Sequence, residues 1–178
     1  MDERTCATAL LEQRDGSCDP AIHAGIIERK AGLFRAHTAL HKPALFPWIA
    51  GFVQRAVRAY RLAVASGGRR EQILAALTGT TVEQAFELIV SADDCTVGKP
   101  DPAIYEFTLR QMNARTPRPP LLKASECLVI EDSQAGVLAD LRVLAVATTY
   151  PASQLVDAHL VLPSLNGIDP ADLARRLF

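Results

Sequence analysis

Five short apolar runs, "RLAVAS", "FELIVS", "CLVIED", "RVLAVATT" and "HLVLPS", recur from residue 61 onward with longer, more polar segments between them. None of the runs alternates apolar with polar residues, so each reads as a strand buried on both faces. Buried strands separated by helical segments predict an α/β fold with a parallel sheet covered on both sides, in the doubly wound manner. Helix starts are marked at Asp101-Pro102 and Asp169-Pro170, where a capping carboxylate precedes a proline suited to a first helical turn. "NARTPRPPLL" reads as a surface connection, and no repeat or low-complexity tract is present.

The first forty or so residues carry a different pattern. Asp19-Pro20 starts a helix on which Ile22, Ile26, Ile27, Leu33 and Phe34 are expected to share a buried face. "KPALFP" ends it, and Ile49, Phe52, Val53, Ala56, Val57 and Tyr60 then follow the spacing of a second amphipathic helix. Arg55 and Arg58 are expected on its solvated side.

With 178 residues, 49% of them apolar, the chain can bury a substantial core. Its 19 Lys and Arg against 20 Asp and Glu form no basic block, which argues against a nucleic-acid or anionic membrane partner. Cys6, Cys18, Cys95 and Cys127 are scattered without a C-x-x-C pair, and no leader or long apolar span is evident, so a cytoplasmic location is expected. The four histidines share no spacing with a cysteine or carboxylate that would make a metal site.

Ligands of doubly wound sheets gather beyond the carboxyl ends of the strands. Ser66-Gly67-Gly68 follows the first run, "VGKPDP" with Lys99 follows the second, and Glu131-Asp132-Ser133 ends the third. Each alone has an ordinary explanation: a capped turn, a solvated lysine, a surface carboxylate pair. Together they suit a phosphoryl anion. The Ser66 hydroxyl and the N–H groups of Gly67 and Gly68 would hold its oxygens, Lys99 would neutralise it, and Glu131 and Asp132 would supply oxygen ligands to a hard cation such as Mg²⁺.

"LAVASGG", "VGKPDPAIY" and "CLVIEDSQAGV", in that order, resemble the second, third and fourth motifs of the haloacid dehalogenase superfamily, in its beta-phosphoglucomutase-like branch. The similarity runs from about Leu45 to the carboxyl terminus, and "ERKAGLFR" resembles the later part of that branch's helical cap. The resemblance implies a Rossmann-like core over residues 44–178, with residues 1–43 as a partial cap. It implies a Mg²⁺-dependent phosphatase or phosphomutase acting on a small phosphorylated metabolite. Ser66 and Gly67 would bind the phosphoryl group, Lys99 would neutralise it and orient the nucleophile, and Glu131 and Asp132 would anchor Mg²⁺, Asp132 directly.

The family's first motif, Asp-x-Asp-Gly-Thr, does not occur in the sequence. The nearest string, "QRDGSCD", has Gln13 at the position of the nucleophile and no apolar run before it, so it is expected to be a helix-to-helix turn. The core is therefore expected to lack its usual central first strand, leaving the strands at 61–66 and 127–131 either to pair directly or to flank something else. The helix after Asp132 is expected to be short. A hydrolase of impaired turnover, a non-catalytic anion-binding or regulatory module, and a truncated gene fragment all remain open.

Overall fold

The computed structural model describes residues 3–99, 101–116, 120–133 and 141–178. Six α-helices and five strands are found among them: α1 Glu3–Asp15, α2 Pro20–Leu40, α3 Ile49–Ala56, β1 Ala63–Ala65, α4 Arg70–Leu77, β2 Leu88–Val90, α5 Ala103–Arg115, β3 Leu128–Glu131, β4 Arg142–Val146, β5 Leu160–Leu162 and α6 Pro170–Leu177. All five apolar runs are strands, and every strand pairing is parallel. The architecture is the α/β one that the runs predict.

The strands form two sheets, β1-β2 and β3-β4-β5, and β1 does not pair with β3. The side chains of both sheets nevertheless enter the same two clusters. Val64, Ile89 and Leu128 pack with Leu144 and Val146 on one side, beneath Phe52 and Val53 of α3, Leu77 of α4 and Leu173 of α6. Ala65, Val90 and Val129 pack on the other side against Ile104 and Tyr105 of α5. The two sheets therefore act as two halves of one layer, with no strand between β1 and β3 among the described residues.

The helix starts follow local chemistry. The Asp19 carboxylate accepts from the N–H groups of Ala21 and Ile22 at 2.8 and 3.2 Å, and Asp101 and Asp169 accept from Ala103 and Ala171 at 2.8 Å each. "QRDGSCD" is the expected turn: α1 ends at Asp15, Gly16 takes a left-handed φ of 71°, and α2 follows.

Two expectations are corrected. On α2 only Ile27 and Ala31 are buried, while Ile22, Ile26 and Leu33 are exposed, because α1 covers a single narrow side of that helix. The helix at 49–60 stops at Ala56, leaving Val57 and Tyr60 exposed in the turn that leads to β1. Arg55 lies on the solvated side as expected, and its guanidinium also donates to the Ile168 carbonyl at 2.9 Å, joining α3 to the loop before α6. The helix expected after Asp132 lies outside the described residues. Among the described residues no helix is long and apolar enough to cross a membrane, and all four cysteines carry free thiols.

Candidate active site

An open cleft of about 770 Å³ lies beyond the carboxyl ends of β1 and β3. Ser66, Gly67, Lys99, Glu131 and Asp132 all line it, so the residues singled out in three separate segments of sequence meet in one place. The parallel strands explain this convergence, since each run ends at the same edge of the layer.

Lys99 is the centre of the arrangement. It is 7% exposed, and its ammonium donates to the Ala65 carbonyl at 3.1 Å and to the Glu131 carboxylate. The same ammonium lies 4.9 Å from the centre of the Tyr105 ring. Glu131 also accepts from the Tyr105 hydroxyl, and from Ser133 Oγ at 3.3 Å. Burial, reinforced by the negative charge of Glu131, holds the Tyr105 phenol far above its ordinary range, so it remains a proton donor. A buried lysine, a carboxylate and a phenol thus form one satisfied unit at the junction of the two sheets.

The loop after β1 is shaped by its own hydrogen bonds. Ser66 N–H donates to Val90 O at 2.9 Å, continuing the β1-β2 pairing by one residue. Ser66 Oγ accepts from Gly68 N–H at 3.1 Å. Gly68 N–H is therefore turned away from the role expected of it, and the hydroxyl proton of Ser66 and the N–H of Gly67 remain to meet an anion. The start of α4 is similarly committed: Arg69 N–H donates to Gln72 Oε1 at 3.0 Å and Arg70 N–H to Asp93 Oδ2 at 2.8 Å. A helix N-terminus capped in this way offers few free donors.

Asp132 is exposed and accepts from the Thr149 hydroxyl at 2.5 Å. Of the acidic pair it is the carboxylate open to a cation, because Glu131 is engaged by Lys99 and Tyr105. The described residues contain no group of three or more His, Cys, Asp or Glu placed to hold a metal. One exposed carboxylate with a second, engaged one beside it suits a cation that keeps most of its hydration shell, such as Mg²⁺, and fits poorly a metal that needs a full protein cage.

The sequence had not pointed to the acidic and basic groups on the opposite wall. Glu3 of α1 pairs with Lys30 of α2 at 2.8 Å and with Arg69. Burial raises the Glu3 carboxyl, but the hydrogen bonds from Lys30 and Arg69 outweigh it and hold the group below its usual range. No spacing links Glu3 to Arg69, so this contact had no sequence signal. Tyr105 and Thr149 did have one. Tyr105 lies in the first turn of the helix that Asp101 caps, and Thr149 follows the strand "RVLAV", both at the end of the layer where ligands collect.

Fold and cleft together define a Rossmann-like α/β protein whose strand ends gather a lysine, a hydroxyl and paired carboxylates. A family model for haloacid dehalogenase-like hydrolases matches residues 3–139, and the chain belongs to that family. The validoxylamine A 7'-phosphate phosphatase of Streptomyces hygroscopicus subsp. limoneus is 31% identical over 111 residues, covering 60% of this chain and 48% of that protein. The chain spans about half or less of the length of the first curated relatives it matches. Among solved structures, a mutant of CbbY from Rhodobacter sphaeroides in complex with xylulose-(1,5)bisphosphate is 25% identical, with a TM-score of 0.70 over 91% of this chain and 76% of that one. Beta-phosphoglucomutase from Clostridium difficile shares the fold at a TM-score of 0.77 and 18% identity, over 99% of this chain and 77% of that one.

Proposed function

We propose that this chain carries the phosphoryl-binding and cation-anchoring part of a Mg²⁺-dependent phosphatase or phosphomutase site for a small phosphorylated metabolite. Residues 44–178 serve as the core and residues 1–43 as part of a helical cap. The observation that carries this reading is the burial of Lys99 between the ends of β1 and β3, with its charge directed to the cleft that Ser66 and Asp132 share. The phosphorylated compounds in the names of the phosphatase and of the CbbY complex support the substrate class.

In this reading the Ser66 hydroxyl and the Gly67 N–H donate to phosphoryl oxygens, and Lys99 supplies the positive charge that lowers the cost of gathering negative charge there. Tyr105 and Ala65 hold Lys99 in place, so its ammonium is oriented before any ligand arrives. Asp132 would hold Mg²⁺ directly with Glu131 beside it, and the cation would supply further charge neutralisation at the phosphoryl group. Glu3 is held by Lys30 and Arg69 and Glu131 by Lys99 and Tyr105, while Asp132 is given to the cation. With no Asp-x-Asp-Gly-Thr motif in the sequence to supply the attacking carboxylate, the chain by itself is a binding module with negligible turnover. A cytoplasmic setting suits its four unpaired thiols.

The test is calorimetric titration of inorganic phosphate with and without Mg²⁺, together with an aryl phosphate turnover assay. Ser66→Ala should weaken phosphate binding about tenfold, as loss of one hydrogen bond to a charged group requires. Asp132→Asn should remove the Mg²⁺ enhancement. Turnover at ordinary enzyme rates, or phosphate binding indifferent to both substitutions, would overturn the proposal.

A further inference from the structure

Two of the four histidines meet at the carboxyl end of α2. His37 lies in the last turn and His41 caps it, and the His41 N–H donates to His37 O at 2.8 Å, which closes the turn between them. Residues four apart on a helix share a side. The two imidazole rings have centroids 5.0 Å apart and planes tilted by 41°. Both residues are exposed, and neither ring has a hydrogen-bond partner among the described residues. The other two histidines are committed: His23 Nε2 donates to Arg4 O at 3.1 Å, and His159 Nδ1 accepts from the Val143 N–H at 3.2 Å.

The separation of the rings is one that a shared metal ion would impose. An imidazole nitrogen binds Zn²⁺ at about 2.0–2.1 Å and lies about 1.1 Å from its own ring centre, so a bound ion sits about 3.2 Å from the centroid. Two rings on one ion, at a nitrogen–metal–nitrogen angle of about 90–110°, then have centroids about 4.5–5.2 Å apart. The 5.0 Å between His37 and His41 falls inside that interval. Location adds to the effect. α2 is 21 residues long, and the carbonyl groups of its last turn carry partial negative charge that favours a cation there. The neighbouring cation, Lys42, is held by the Thr78 carbonyl at the end of α4.

We propose that His37 and His41 form a two-imidazole site for one divalent transition-metal ion of the Zn²⁺, Ni²⁺ or Cu²⁺ class, with water completing its coordination. Imidazole nitrogen suits these ions, whereas Mg²⁺ prefers oxygen, so the site discriminates against the cation assigned to Asp132. Two protein ligands make it an exchangeable site, because structural zinc sites close with four. Its effect would be mechanical. The ion fastens the last turn of α2 to the connector that Lys42 ties to α4. This inference is independent of the anion reading, since neither histidine lines the cleft.

The experiment titrates the full chain, carrying no polyhistidine tag, with Ni²⁺ by calorimetry at neutral pH. The tightest site should take one ion per chain. His37→Gln and His41→Gln should each weaken it at least tenfold, since two ligands on one ion act at high effective concentration. His23→Gln and His159→Gln should change nothing, which also separates the imidazoles from the four free thiols. His41→Gln combined with Ala39→His keeps two imidazoles on different sides of the helix and should not restore binding. Substoichiometric Cu²⁺ should broaden the amide signals of Thr38, Leu40 and Lys42 before those of Asp132. Bound Ni²⁺ should slow amide exchange at Leu40 and His41, and excess Mg²⁺ should not displace it. Should a variant not fold, the copper broadening pattern of the unsubstituted chain decides. The proposal is overturned if no site appears, if each glutamine variant weakens binding only about twofold as independent imidazoles would, or if the Ala39 variant restores it. Broadening centred elsewhere, or displacement by Mg²⁺, would overturn it as well.

Discussion

Replacing Lys99 by methionine tests whether the buried charge pair governs the junction between the sheets. The Lys99 and Glu131 side chains are 8% and 10% exposed, so the substitution leaves a carboxylate without its cation where water cannot compensate. Breaking a buried pair by removing one partner costs about 3–5 kcal/mol. Two donors to Glu131 survive, the Tyr105 hydroxyl and Ser133 Oγ, and the methionine fills most of the lysine's volume. The expected loss is therefore at the lower end, about 3 kcal/mol. For a chain of this size that corresponds to a fall in Tm of roughly 6–12 °C. Lys99→Met combined with Glu131→Gln removes both charges and should return to within about 1 kcal/mol of the original stability, because a neutral pair no longer needs a counter-ion. Urea unfolding followed by the fluorescence of Trp48, which packs against the larger cluster, measures all the variants on one scale. A single variant costing under about 1 kcal/mol, or a double variant costing the sum of its singles, would refute the reasoning.

Tyr105→Phe should destabilise the protein by about 1.5 kcal/mol at neutral pH through loss of a hydrogen bond to a charged group. Its pH dependence is the sharper readout. The folded-state phenol is raised by burial and by Glu131, so its contribution is complete below the ordinary tyrosine range and is lost as pH rises above about 10. The variant should lose less stability than the parent between about pH 9 and 11, and equal alkaline slopes in urea titrations would contradict this. Glu3→Gln should loosen α1, seen as faster amide exchange along that helix at neutral pH. The Glu3 carboxyl is depressed by Lys30 and Arg69 against the effect of burial, so its contribution is present above the unfolded carboxylate range and is lost as pH falls through the lower folded value. Parent and variant should therefore converge in acid below about pH 4. A difference that persists there would sink the idea.

The strands and the helix starts were legible because each depends on local pattern. Unbroken apolar runs can only be buried on both faces, and Asp-Pro pairs announce a cap. The meeting of Ser66, Lys99, Glu131 and Asp132 followed from the rule that parallel strands present their carboxyl ends together. What sequence could not supply was the commitment of each donor. That Gly68 N–H turns to Ser66 Oγ, and that Asp93 and Gln72 cap α4, are matters of loop geometry that residue types do not determine. The exposed faces of α2 and of Val57 were misread for a related reason. Periodicity states which residues share a side of a helix, but a side is buried only where another element exists to cover it. For α2 that element is chiefly α1, with α4 reaching it through the Arg35–Glu71 ion pair. The choice between direct pairing of β1 with β3 and a separation between them likewise lay beyond pattern, since both strands are equally apolar in either case.

The division into two sheets also bears on how the chain reaches its native state. Ala63 pairs with Leu88, Leu128 with Arg142 and Leu144 with Leu160, so every ladder contact links segments separated by one crossover. Among the described residues no ladder joins the half before α5 to the half after it. Pairing of that kind keeps contact order low for a parallel sheet, and the closure entropy met at each step is that of a short loop. Each half can thus nucleate on its own. Their cooperation comes from the shared side-chain clusters, from Lys99 and from the Arg55 bond to Ile168, a small set of contacts along which two folding units become a single protein.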